Sequence, residues 1–154
     1  MVTKLEALED KNVDILPVMR RTAFVILFAF AVHLLGNHPE VQAKVHEELD
    51  IVFGSDRERP VTDDDMKQLT YLECVIKEAL RLYPPTPIIA RDIDQDIKAG
   101  IKFAQLEDKI LLAHLMRSFK VVSKIPMKDV QLSLELTLRP ANGLWVTLIP
   151  RAAQ

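Results

Sequence analysis

The sequence is short of most features that mark catalytic or metal-binding chains. It has one cysteine, Cys74, so no intrachain disulfide and no thiolate-rich metal site can form. That usage suits a reducing compartment. Four scattered glycines leave no glycine-rich loop to cradle a phosphate. His33, His38, His46 and His114 never stand four apart beside a carboxylate. His46-Glu47-Glu48 is not His-Glu-x-x-His, so no metal site is expected. No Ser/His/Asp order suggests a nucleophile. Charge of one sign is also missing: the net is −2, with acids and bases interleaved, which argues against nucleic acid and against an acidic solvating tail. The longest apolar run, residues 23–35 (AFVILFAFAVHLL), falls short of the roughly 20 residues a spanning helix needs. Arg20 and Arg21 imitate the start of a signal peptide. Glu6, Glu9, Asp10 and Asp14 precede them, however, and no small-x-small cleavage site follows. The run reads as a buried helix, with a membrane-anchoring segment as the alternative, and His33 within it as a core or edge residue with its hydrogen bonds satisfied.

What is present is apolar residue in helical order. With 49% hydrophobic residues, 154 residues suit one domain with its own core. Residues 1–21 are mixed and weakly helical, interrupted by Pro17. The apolar helix should stop at Gly36. Asn37-His38-Pro39-Glu40 then opens another, with Asn37 or His38 as cap and Pro39 in the first turn. Gly54 should end it. After a polar loop at 55–60, Thr62 can cap a short helix whose first turn is Asp63, Asp64 and Asp65. Thr70-Tyr71-Leu72-Glu73 has the form of a capping box. The following helix should bury Leu72, Val75, Ile76, Ala79, Leu80 and Tyr83 and stop at Pro84-Pro85. Residues 86–100 look extended. Residues 101–122 return to a helical period, with Phe103, Leu106, Ile110, Ala113, Leu115 and Phe119 on one side. Leu132, Leu134, Leu136 and Leu138 alternate with polar residues, as in a half-buried strand. Pro140-Ala141-Asn142-Gly143 supplies a turn, and residues 144–149 the return strand. The fold class is mainly α with a small antiparallel β hairpin.

Two blocks of this sequence resemble a known family. LLGNHPEVQAKVHEELDIVFG, followed by VTDDDMKQLTYLECVIKEALRLYPPTPIIARD, covers residues 34–92 and looks like the J, J′ and K helices of the cytochromes P-450. It is most similar to the fatty-acid omega-hydroxylase branch. IKFAQLEDKILLAHLMRSFKVV and then LTLRPANGLWVTLIPR resemble that family's L helix and C-terminal hairpin. The resemblance implies a single partial cytochrome P-450 domain over 1–154. Residues 1–25 are atypical, 26–100 hold the I-helix end, the J, J′ and K helices and the strand after them, and 101–154 hold the L helix and hairpin.

Glu78-Ala79-Leu80-Arg81 matches the family's Glu-x-x-Arg motif. One turn apart, the two side chains can pair on the helix face opposite the apolar stripe, which read by itself makes a solvated ion pair; by resemblance they are buried and lock the K helix beneath the heme with a third partner, an arginine. No segment of this sequence supplies that arginine, and a buried pair without its partner is destabilising. Arg91 matches the arginine that contacts a heme propionate, a charge-assisted contact; read by itself it is a surface arginine beside Asp92. Thr22, Ala23 and Phe24 stand where the family has its proton-delivering acid and threonine, and a threonine hydroxyl does not titrate at working pH. Between Gly100 and Ile101 the sequence passes straight from the strand after the K helix to the residues that follow the family's Phe-x-x-Gly-x-Arg-x-Cys-x-Gly loop. The iron-ligating cysteine is skipped. Forced alignment puts Lys98 at its place, and a lysine supplies no thiolate. Cys74 lies within the K-helix segment, outside any ligand loop, and reads as a small filler. No catalytic residue and no metal ligand is therefore assigned.

Two functional readings follow. The resemblance implies a heme-dependent, iron-dependent monooxygenase acting on a fatty acid or other lipophilic substrate, with electrons from an NADPH-dependent reductase. It also implies the endoplasmic reticulum membrane, although the family's N-terminal anchor has no match here. The other reading is a non-enzymatic truncated isoform, pseudogene product or gene-model fragment acting at most as a helical interaction module. On that reading, self-association through exposed apolar helix faces is expected.

Overall fold

A computed structural model describes residues 15–54, 56, 59–87, 102–135 and 137–151. Side chains are described from residue 21 in the first helix and from residue 106 in the fifth. Among the described residues five α-helices occur in chain order: α1 (Ile15–Asn37), α2 (Pro39–Phe53), α3 (Asp63–Gln68), α4 (Thr70–Leu82) and α5 (Lys102–Ser118). Four short strands follow: β1 (Phe119–Ser123), β2 (Leu132–Leu134), β3 (Leu138–Pro140) and β4 (Val146–Pro150). The mainly helical class with a small antiparallel element is the one the sequence indicates.

Helix α1 is the axis of the fold. Residues 30–35 are all buried, so this stretch of the helix is enclosed on every side, with α4, α5 and β1 against the helix. Apolar residues all round a helix produce this arrangement when neighbours cover every face. Among the described residues no single helix is long and apolar enough to cross a membrane. Pro17 does not interrupt the helix; it lies in the first turn, where its missing N–H has no helical partner in any case. Nor is Gly36 a stop, because the helix continues to Asn37. A Cβ at Gly36 would sit 2.6 Å from the backbone nitrogen of Ser123; glycine is needed there for the close approach of β1. The stop role belongs to Gly54, which follows α2 with φ of 61° and donates its N–H to the Asp50 carbonyl.

Helix α2 has Pro39 in its first turn, but neither Asn37 nor His38 caps it: His38 holds the capping position without a side-chain capping bond. The Asn37 amide turns back to the carbonyls of His33 and Ile125. Thr62 caps α3 as expected, in a full capping box with Asp65. The box read at Thr70-x-x-Glu73 does not form. Leu69 is the capping residue of α4, and no side chain of its own segment caps it. The Glu48 carboxylate of α2 accepts from the backbone N–H groups of Tyr71 at 2.6 Å and Leu72 at 2.9 Å, and from the Thr70 hydroxyl at 3.2 Å. A carboxylate at a helix start is stabilising whichever element it comes from. Glu73 is thereby free to pair with Lys77 and Lys109.

Helix α4 buries Leu72, Val75, Ile76 and Ala79, with Tyr83 beyond its end and Leu80 half-buried. The Tyr83 ring stacks on Phe30 of α1, centroids 4.2 Å apart. Helix α5 ends at Ser118, so the helical reading of 101–122 overran it: Phe119, Lys120, Val121 and Val122 form β1. Its buried apolar residues are Leu112, Ala113 and Met116, while Leu106 is exposed, so the apolar side read from the sequence is rotated from the observed one. The hairpin read over 132–149 also pairs differently. Leu132–Leu134 folds against Leu138–Pro140, and β4 pairs antiparallel with β1, Val121 opposite Leu148.

Candidate functional site

Glu78 and Arg81 lie on the solvent side of α4. The guanidinium grips the carboxylate with two hydrogen bonds, Nε at 2.7 Å and Nη2 at 2.6 Å, and each side chain is more than half exposed. The pairing and the exposure are those expected from the residues read by themselves; the burial that the resemblance implies is not found. The pairing also sets the titration: Arg81 holds the Glu78 carboxyl below its ordinary range, and Glu78 raises the guanidinium. Arg91 and the Gly100–Ile101 junction lie outside the described residues. Thr22 is exposed on α1.

Beside Glu78, the ends of α1 and α2 and the outer side of α4 enclose an apolar groove of about 340 Å³, lined by Leu34, Leu35, Val41, Val75, Leu82 and also Cys74 and His38. Cys74 is an exposed free thiol. None of the described residues of α5 lines the groove. Among the described residues no group of three His, Cys, Asp or Glu is placed to hold a metal. The one thiol among them, Cys74, stands within a helix rather than in a loop.

Sequence reasoning anticipated His33 as a buried residue with its hydrogen bonds satisfied, but missed the other buried polar residues. Gln42 of α2, 2% exposed, donates to the carbonyls of Leu35 and Val121, both at 2.8 Å, and accepts from the Val121 N–H at 2.9 Å. Its amide pairs with β1 as a neighbouring strand would. His33 is fully buried, with Nε2 3.2 Å from the Asn37 amide nitrogen and Nδ1 2.9 Å from the Ser123 hydroxyl. The amide donor requires Nε2 to accept, which places the proton on Nδ1, and burial lowers the pKa. Arg59 clasps Asp65 bidentately at 2.7 and 2.8 Å and holds that carboxyl well below its usual range. Arg59 and the buried Arg117 both lie over the Phe53 ring, at 4.6 and 4.1 Å. Lys109 is 6% exposed and reaches the Met66 carbonyl at 2.6 Å and Glu73 at 3.0 Å. Asp108 is 1% exposed, and neither of its oxygens has a hydrogen-bond partner; burial and the neighbouring Glu107 push its pKa up to about 7. Each of these is a polar residue in an apolar context, and spacing alone carries no signal of what it meets across the fold.

Comparison with known proteins places the fold. The cytochrome P-450 family model matches residues 19–100. Human cytochrome P-450 4V2 is 32% identical over 184 aligned positions, which cover 80% of this chain and 35% of the relative. Cytochrome P-450 4d8 of Drosophila melanogaster is 54% identical over 70 positions, covering 46% of this chain and 15% of the relative. The crystal structure of a cytochrome P-450, CYP102L1, superposes with a TM-score of 0.69 at 23% identity, covering 84% of this chain and 43% of that one; at that identity the likeness is one of fold. The chain thus spans about a third of the length of the human relative. The 184 positions aligned with 4V2 also exceed the whole length of this 154-residue chain, so a stretch of the relative has no counterpart within it. The chain belongs to the cytochrome P-450 family, on the branch of its family-4 members.

Proposed function

We propose that this chain is a C-terminal part of a heme-thiolate monooxygenase fold that lacks the ligand loop and does not itself carry the family's reaction. The carrying observation is the position of the one cysteine: Cys74 is exposed on α4, beside a groove to which no described side chain of α5 contributes. The family-model match that ends at residue 100 supports an interruption at Gly100/Ile101, as does the stretch of 4V2 without a counterpart. A solvent-exposed Glu78–Arg81 pair supports it further, because the covering segment and its third arginine are missing from the sequence.

In the intact family member, the reaction is insertion of one oxygen atom into a C–H bond of a fatty acid or similar lipophilic molecule. Electrons come from an NADPH-dependent reductase at the endoplasmic reticulum membrane. In this chain those properties belong to its lineage. Its own role is that of a non-enzymatic helical module, and apolar side chains left exposed on the helices, Val25, Leu106 and Leu111, favour self-association. Sequencing the native transcript across the codons for Gly100 and Ile101 tests the reading. Contiguous codons sustain it. An intervening stretch encoding Phe-x-x-Gly-x-Arg-x-Cys-x-Gly sinks it and restores the enzyme.

A further inference from the structure

The two-stranded sheet β1–β4 has an outer face that the fold leaves uncovered. Alternation along a strand sends every second side chain to the same face, and the observed register fixes which ones meet. Lys120 stands opposite Ile149 and Val122 opposite Thr147. The Lys124 N–H donates to the Trp145 carbonyl at 2.9 Å, extending the ladder by one pair. Lys120, Val122, Lys124, Trp145, Thr147 and Ile149 therefore share one face, and all six are exposed. Trp145 is 65% exposed, Ile149 45% and Val122 40%. No carboxylate lies among them. Between residues 119 and 151 there are five Lys or Arg against two Asp or Glu, in a chain whose net charge is −2, so the positive charge gathers at this end.

We propose that this face docks on an anionic lipid bilayer. An indole ring prefers the headgroup level of a membrane, where its apolar body and N–H are both accommodated. Val122 and Ile149 can enter the acyl boundary beside it. The two lysines keep their stems along apolar surface and place their ammonium groups among lipid phosphates. A single-stranded nucleic acid would need a row of stacking aromatics along a basic groove, and this face offers one aromatic on a short sheet. The inference does not depend on the heme-free reading above.

The chain has one tryptophan, so Trp145 emission reports directly on the face. The purified full chain is titrated with phosphatidylcholine–phosphatidylserine vesicles, with phosphatidylcholine vesicles, and with soluble polyglutamate. Docking is expected to shift the emission to the blue with the anionic vesicles, to protect Trp145 from acrylamide, and to weaken as salt is raised. The double variant Lys120→Gln/Lys124→Gln, checked for an unchanged far-ultraviolet spectrum, is expected to bind about thirtyfold more weakly, from roughly a fivefold contribution per lysine at an anionic surface. Equal response to both kinds of vesicle, equal binding by the variant, or a shift with polyglutamate but not with vesicles would each overturn the proposal.

Discussion

Replacing Gln42 by alanine tests how the helical layer holds the sheet. The Gln42 amide meets three backbone groups at 2.8–2.9 Å, and its side chain and Val121 are both buried, at 2% and 1% exposure. Truncation leaves the Val121 N–H without a partner in an apolar site, at about 1–3 kcal/mol. The Val121 and Leu35 carbonyls each lose one acceptor contact, a smaller loss because a carbonyl has a second lone pair. Loss of the buried side-chain methylenes adds to this, and a water entering the vacated space offsets part of it. The expected destabilisation is roughly 3 kcal/mol, a large fraction of the 5–15 kcal/mol typical of a domain. Urea unfolding followed by far-ultraviolet circular dichroism measures it. Gln42→Glu sharpens the test: it keeps an acceptor for the Val121 N–H but replaces the donor to both carbonyls with a charged oxygen, so it should be destabilised more at neutral than at acid pH. A loss below about 0.5 kcal/mol for Gln42→Ala, the level of an ordinary surface change, would refute the reasoning.

Other substitutions bear on the remaining contacts. Glu48→Ala removes the only side chain found capping α4 and should lower stability by about 1–2 kcal/mol, with faster amide exchange at Tyr71 and Leu72 by nuclear magnetic resonance. Arg81→Ala should leave the unfolding midpoint unchanged, since the pair it breaks is in solvent; a clear drop would mean the pair is covered in solution. Asp108→Asn addresses pH. Its folded pKa is raised to about 7 from 3.8, so the unfolded chain gives up the proton first as pH rises, and wild-type stability falls between those values by up to roughly 4 kcal/mol. The difference between variant and wild type should therefore grow from near pH 4 to pH 7 and then level off. That difference is the quantity to follow, because His46, whose pKa burial lowers to about 4, stabilises the fold with rising pH over an overlapping window.

Much of the fold was legible because helix signals are local. Pro39 in a first turn, Thr62 as a cap and Gly54 after Phe53 each satisfy a constraint set within one turn of chain. The apolar period of α4 predicted its buried face for the same reason. What failed depended on partners distant in sequence. Glu48 caps a helix that starts more than twenty residues later, so the nearer Thr70-x-x-Glu73 pattern was a decoy. Phe119-Lys120-Val121-Val122 continues the apolar period of α5, yet its backbone is drawn into pairing with β4 and Gln42. Gly36 looked like a stop because the strand that needs its missing Cβ lies 87 residues away. At the candidate site, the pairing of Glu78 with Arg81 followed from spacing, while its exposure depends on which segments cover α4.

The central claim is that this chain cannot present a thiolate to heme iron. The direct measurement is the reduced, carbon-monoxide difference spectrum of the purified chain after incubation with hemin. The account predicts no thiolate-type band. A thiolate-type band in the wild type that disappears in Cys74→Ser would contradict it.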